Sequence, residues 1–210
     1  MYRVLLVLPD GGTRINQSAE AEWVSRTFQT EILEGARATT EGLYDFIAGR
    51  KFDILHFAAH GGADGLLMSG GTRLTMYDVE RVARTVGAKL VYLNSCASAR
   101  LAQFAVDHGI PAVIATNADV DDTQAWSTAI SFYQELLVTG DFYSAYEAAK
   151  PLDGSLSFYS NGHLVSRQIR PLLDEMALMR RHLARLYYVL ALTWTAMLVE
   201  FAVLWWRSAP

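Results

Sequence analysis

Cysteine is nearly absent: the 210 residues hold one, Cys96. A single cysteine excludes an internal disulfide framework and a four-cysteine zinc site, and it fits a reducing compartment. Excess basic charge is absent too, with 18 Lys and Arg against 22 Asp and Glu and a formal net charge of −4. The balance is uneven along the chain. Residues 180–210 carry Arg180, Arg181, Arg185 and Arg207 against Glu200, which leaves residues 1–179 with 14 of the 18 basic and 21 of the 22 acidic side chains, a difference of −7. An acidic globular part argues against a nucleic-acid partner. No internal repeat or low-complexity tract occurs. Gly11-Gly12-Thr13 lacks the Gly-Lys-Ser/Thr that would make it a phosphate-binding loop. The opening run Val4-Leu5-Leu6-Val7-Leu8 is too short for a secretory signal and has no small-residue cleavage site.

What is present is hydrophobic surface, 51% of residues, enough for one domain with a sizeable core plus an appendage. Short apolar runs alternate with helical periodicity. Strands are predicted over 3–8, near 31–34, over 52–59, 90–94 and 111–116, and near 156–159. Helices pass through Ala21, Trp23, Val24 and Phe28, through Leu43, Phe46 and Ile47, through Val79, Val82 and Val86, and over 99–108, 126–138 and 141–150. Gly70-Gly71 reads as the tip of a hairpin within residues 65–74. Alternation of this kind predicts an α/β fold with a mainly parallel central sheet.

Chemistry concentrates at two strand ends. Leu90-Val91-Tyr92-Leu93-Asn94 runs into Ser95-Cys96-Ala97-Ser98, and Ile54-Leu55-His56-Phe57-Ala58 runs into Ala59-His60-Gly61-Gly62. In parallel α/β sheets, ligands gather at the carboxyl ends of strands. A histidine there can activate a thiol or protonate a leaving amine. The competing reading of a lone cysteine is a small core hydrophobe. His56 lies on the same side of its strand as His60, about 13 Å away by strand rise, too far to share a metal, and reads as a core residue. His108, His163 and His182 are assigned no role.

The segments His60-Gly61, Asn94-Ser95-Cys96-Ala97-Ser98-Ala99 and Asn117-Ala118-Asp119-Val120-Asp121-Asp122 resemble the motifs of the caspase-like protease domain shared by separases and bacterial CHAT proteins, in the same order and each at a strand end. The pattern Phe132-Tyr133, Gly140, Tyr146-Glu147-Ala148-Ala149 resembles the family's closing helices. The resemblance implies a caspase-like three-layer sandwich over residues 1–170 and a cysteine endopeptidase with a His60/Cys96 dyad. It implies an oxyanion site at the Gly61 and Cys96 backbone amides. Asp119 matches the acid that receives a basic P1 side chain, although Ala118 replaces the family's tryptophan before it. Asp121 and Asp122 read equally well as an acidic helix cap. The implied partner is a protein substrate, with no cofactor and no metal. Bacterial relatives belong to defence or programmed-death systems, and activation would come from another protein or from self-association. The alternative is a non-catalytic assembly module of the same fold.

Residues 186–206 form an apolar stretch with one charge, Glu200, flanked by Tyr187 and Tyr188 and by Trp205 and Trp206. This predicts a transmembrane helix. Arg180, Arg181 and Arg185 in the basic segment 171–185 orient it as a single pass with the N-terminal domain in the cytoplasm. Its competing reading is a buried interface helix. Glu200 would lie about 6 Å from the midpoint of the span.

Overall fold

The computed structural model describes residues 1–10, 17–62, 64–161 and 179. In chain order the elements are β1 (Arg3–Pro9), α1 (Gln17–Thr27), β2 (Gln29–Gly35), α2 (Thr40–Ile47), β3 (Ile54–Ala58), β4 (Gly61–Gly62), β5 (Gly65–Leu67), β6 (Arg73–Leu74), α3 (Met76–Val86), β7 (Leu90–Asn94), α4 (Ala99–Asp107), β8 (Ala112–Thr116), α5 (Asp122–Thr139), α6 (Phe142–Ala149) and β9 (Leu156–Ser160). The long apolar runs become strands hidden on both faces. Every residue of β3, β7 and β8 is buried, as expected for a parallel sheet covered by helices on both sides.

The central sheet has six strands in the order β2-β1-β3-β7-β8-β9. All neighbours are parallel except β9, which runs antiparallel to β8. Alternate strand residues divide the core in two. Leu55, Phe57, Val91 and Leu93 pack with Leu43 and Ile47 of α2, Val79 and Val82 of α3, and Leu101 and Ala105 of α4. Ile54, Ala58, Leu90 and Tyr92 pack with Val24 of α1, Phe132 and Tyr133 of α5, and Ala145 and Tyr146 of α6. The result is the expected α/β sandwich of three layers around a mainly parallel sheet.

Local signals place the helix ends. The Thr39 hydroxyl accepts from the Gly42 amide to start α2. Thr75 and Asp78 form a reciprocal capping box on α3, which Gly87 closes in the left-handed conformation. Asp141 caps α6 through the Ser144 amide. The chain departs from the sequence-based expectation at two points. Helix α5 begins at Asp122, four residues before Trp126, because Asp121 accepts from the Thr123 and Gln124 amides, both at 2.9 Å, and caps it. Gly61–Gly62 is itself a strand, pairing with β5 in a small sheet of order β4-β5-β6. The hairpin expected within residues 65–74 is present, with β5 and β6 antiparallel from Leu66↔Leu74 to Leu67↔Arg73 and Gly70 and Gly71 in the 3₁₀ turn at its tip.

The described elements fall in one compact unit, Met1–Leu164. The expected boundaries at 170 and 185 and the expected transmembrane helix at 186–206 lie outside the described residues. Among the described residues no helix is long and apolar enough to cross a membrane.

Candidate active site

Strands β3 and β7 pair with a constant offset of 36 positions, from Ile54↔Leu90 to Ala58↔Asn94. His60 and Cys96 stand at the same offset, two residues beyond the last pair, so both leave the sheet at one level of its carboxyl rim on neighbouring strands. Both are half-buried. Gly61 measures how near the two segments come. A Cβ placed on it would stand 2.8 Å from the Cys96 carbonyl oxygen and 2.8 Å from the Ser95 Cβ and Oγ. Only a residue without a side chain allows this approach.

The Cys96 turn is tied down on its far side by the segment that follows β8. The Ala97 amide donates to the Ala118 carbonyl at 3.2 Å. The Val120 amide donates to Cys96 Sγ at 3.5 Å, and Sγ lies 3.7 Å from the Val120 carbonyl oxygen. Beneath, the Ser95 carbonyl accepts from the Ser98 hydroxyl at 2.9 Å and the Thr116 hydroxyl at 2.7 Å. Ala97 takes a left-handed conformation, φ +48°, unusual for a residue other than glycine. The turn is therefore held by its surroundings rather than by its own backbone preference. Ser98 starts α4 without capping it, because its hydroxyl is spent on this network.

Asp119 lies between Ala118 and Val120, the two residues that bond the Cys96 turn, and its side chain is exposed. Asp121 is an N-cap, and Asp122 stands in the first turn of α5. The Gly61 amide has a defined direction. The Leu67 amide donates to the His60 carbonyl at 2.8 Å, so His60 and Leu67 are the hydrogen-bonded pair at this end of the ladder. Gly61↔Leu66 is then a non-hydrogen-bonded pair, and the Gly61 N–H points off β5. The structure thus brings His60, Gly61, Cys96 and Asp119 to one rim of the sheet.

Sequence reasoning missed the carboxylate beneath this rim. Glu20 of α1 is only 3% exposed. Its Oε1 lies 2.9 Å from His56 Nε2, and its two oxygens accept from Asn94 Nδ2 at 3.2 and 3.4 Å. His56 is fully buried, as expected of a core residue, and stacks on Tyr92 and Tyr133. A signal existed: Glu20, Val24 and Phe28 lie at i, i+4 and i+8 of one stripe, and Val24 and Phe28 are core residues.

At the opposite rim an open cavity of about 460 Å³ is lined by Tyr2, Phe28, Asp53, Lys89, Leu136 and Gly140. It contains no thiol or imidazole, and the ion pair Lys89–Asp53 at 2.7 Å crosses its lining. Among the described residues no three His, Cys, Asp or Glu side chains are grouped so as to hold a metal ion.

The fold is similar to that of the Arg-specific cysteine proteinase gingipain R (RgpB), with 12% identity and a TM-score of 0.57 over 77% of this chain and 46% of that one. It is similar also to the complex of the RgpB pro- and mature domains from Porphyromonas gingivalis, with 11% identity and a TM-score of 0.55 over 75% of this chain and 47% of that one. This chain spans about half the length of those structures. At such identities the likeness is one of fold. No curated protein matches the sequence. The CHAT domain family matches residues 15–151, which include β2 through α6 and all the rim residues described above. With nearly two-thirds of its length matched, the chain belongs to the CHAT domain family.

Proposed function

We propose that this protein is a cysteine endopeptidase in which Cys96 is the nucleophile and His60 the proton-transfer partner. The observation that carries the reading is the common register of the two residues on β3 and β7, with Gly61 closed onto the Ser95–Cys96 backbone. Neighbouring strand ends offer a thiol and an imidazole to one substrate carbonyl. The sulfur attacks that carbonyl, and the imidazole takes the thiol proton and later delivers it to the leaving amine. The off-ladder direction of the Gly61 N–H favours its use as an oxyanion donor together with the Cys96 amide.

Asp119 is proposed to receive a basic P1 side chain. Its exposed carboxylate stands between the two residues bonded to the Cys96 turn, and a carboxylate forms charge-assisted hydrogen bonds with guanidinium or ammonium groups. The finer parts of the proposal rest on sequence. Residues 186–206 would anchor the protein in a membrane with the protease domain in the cytoplasm. The substrate would be a partner protein in a bacterial defence or programmed-death pathway, and an activator or self-association would switch the enzyme on.

The test is cleavage of peptides with Arg or Lys at P1 by the full chain. Cys96→Ala and His60→Ala are expected to fall to background, and Asp119→Asn to lose the preference for basic P1. Undiminished cleavage by Cys96→Ala would overturn the assignment. If Cys96→Ala keeps the cellular effect and deletion of residues 186–210 abolishes it, the chain is an assembly module whose tail acts on the membrane.

A further inference from the structure

Three elements meet at the Glu20 carboxylate, and a fourth, α5, reaches its partners through Tyr133 and Ala125. Glu20 comes from α1, His56 from β3, Asn94 from β7 and Tyr133 from α5. His56 lies four residues before His60 on one strand, and Asn94 two residues before Cys96 on the next. Glu20 touches both, at 2.9 Å to His56 Nε2 and at 3.2 Å to Asn94 Nδ2. The approach to His56 is a close contact of nitrogen and oxygen without the alignment of a hydrogen bond. Asn94 also donates to the Ala125 carbonyl of α5 at 3.4 Å.

His56 is fixed from three sides. Its Nδ1 is 3.0 Å from the Tyr133 hydroxyl. Its ring stacks on Tyr92 with centroids 4.6 Å apart and on Tyr133 with centroids 5.7 Å apart. Burial, and then the charge of Glu20, push the Tyr133 hydroxyl well above its ordinary value, so it remains a neutral hydroxyl beside Nδ1.

Stability alone does not explain this arrangement. A buried carboxylate carries a desolvation cost that its contacts barely offset, and hydrocarbon of similar volume serves as well or better. On the opposite face the same strands present Leu55, Phe57, Val91 and Leu93 to their helices, all apolar. The pair lies under the two strand ends that carry His60 and Cys96.

We propose that Glu20 is a positioning residue, a buried carboxylate that couples the strand of His60 to the strand of Cys96 through His56 and Asn94 and so sets the level at which imidazole and thiol meet. The inference deepens the peptidase reading and rests on it for its purpose, but its test does not need peptide cleavage. Cys96 is the sole cysteine, so iodoacetamide reports on it alone.

The experiment measures the alkylation rate of Cys96 against pH in the full chain, alongside thermal unfolding and kcat/KM on a peptide with basic P1. Three variants are compared. Glu20→Gln keeps the shape and removes the charge. The double variant Glu20→Leu/His56→Leu removes the pair without stranding a charge and so keeps the test open if the single variant unfolds. Glu22→Gln changes an exposed neighbour on α1 and serves as control.

Glu20→Gln and the double variant are expected to shift the alkylation profile and change the rate about threefold or more, and to lower kcat without a matching rise in KM. Glu22→Gln should match the wild type. A folded Glu20→Gln or double variant with the wild-type alkylation rate and profile would overturn the proposal. Failure of the peptidase reading looks different: no peptide is cut, or Cys96→Ala still cuts it, while the alkylation comparison still decides the role of Glu20.

Discussion

On one side of the sheet, Leu55, Phe57, Val91 and Leu93 meet α2, α3 and α4 through hydrocarbon and aromatic surface alone. On the other, the alternate positions of the same strands include His56 and Asn94, which meet Glu20 of α1 and Tyr133 of α5. The two faces cover the same backbone, so the strands themselves do not require buried polarity. The apolar face supplies cohesion through the burial of hydrocarbon, a force without direction. The mixed face adds directional contacts, which hold strands at a defined level. These directional contacts lie beneath the rim where His60 and Cys96 emerge.

The contrast can be broken most severely on the apolar face. Phe57→Ala removes a fully buried ring and is expected to cost about 3–5 kcal/mol in chemical denaturation. The pH profile of Cys96 alkylation in the surviving folded protein should remain that of the wild type. If it moves as far as in Glu20→Gln, the division of labour between the faces is wrong.

On the mixed face, His56→Leu alone leaves the Glu20 carboxylate buried without its imidazole partner, at an expected cost of about 3 kcal/mol. The double variant Glu20→Leu/His56→Leu should be more stable than His56→Leu. A double-mutant cycle by denaturant unfolding measures that coupling, and strictly additive effects would contradict it.

Gly61→Ala sharpens the comparison at the rim itself. The new methyl would stand 2.8 Å from the Cys96 carbonyl oxygen and the Ser95 Cβ, and neither is the end of a flexible side chain. Overpacking of this kind costs about 1–3 kcal/mol, and peptide cleavage should fall by more than the loss of folded protein explains. Equal losses would mean that Gly61 serves packing only.

The smallest effect lies on the apolar face, at the start of α3. Burial alone would raise the Asp78 carboxyl, but the Thr75 hydroxyl and amide, together with the Tyr44 hydroxyl, donate to it and hold it below its ordinary value. A depressed carboxyl contributes stability above its unfolded-state value, about pH 4, and that contribution is lost as pH falls through the lower folded-state value. Thr75→Ala should therefore cost about 1 kcal/mol at neutral pH, and the gap to the wild type should narrow in acid. Thermal unfolding at pH 7 and pH 3 reads both.

Much of this architecture was legible one segment at a time. The apolar runs before His60 and Cys96 are strands, the capping threonines 39 and 75 open helices, and Gly87 and Gly140 close them in the left-handed conformation. Each of these signals acts over a few residues, through side-chain oxygens that reach nearby amides or through the conformational freedom of glycine. The start of α5 was less legible, since Asp119, Asp121 and Asp122 are equally at home in a loop and only the bonds from Asp121 to Thr123 and Gln124 distinguish them. The left-handed Ala97 carried no signal, because alanine at that position is imposed by bonds from Ala118, Val120 and Thr116, far along the chain.

The sequence by itself determined an α/β chain with one thiol and one His-Gly step at the ends of separate strands, because periodicity, caps and composition are local properties. That those ends share a level, that Gly61 closes onto the Cys96 backbone, and that Glu20 is buried between His56 and Asn94 were decided only by tertiary structure. The physical reason is that register between strands and the desolvation of a helix carboxylate depend on which faces meet, and no window of the sequence contains both partners.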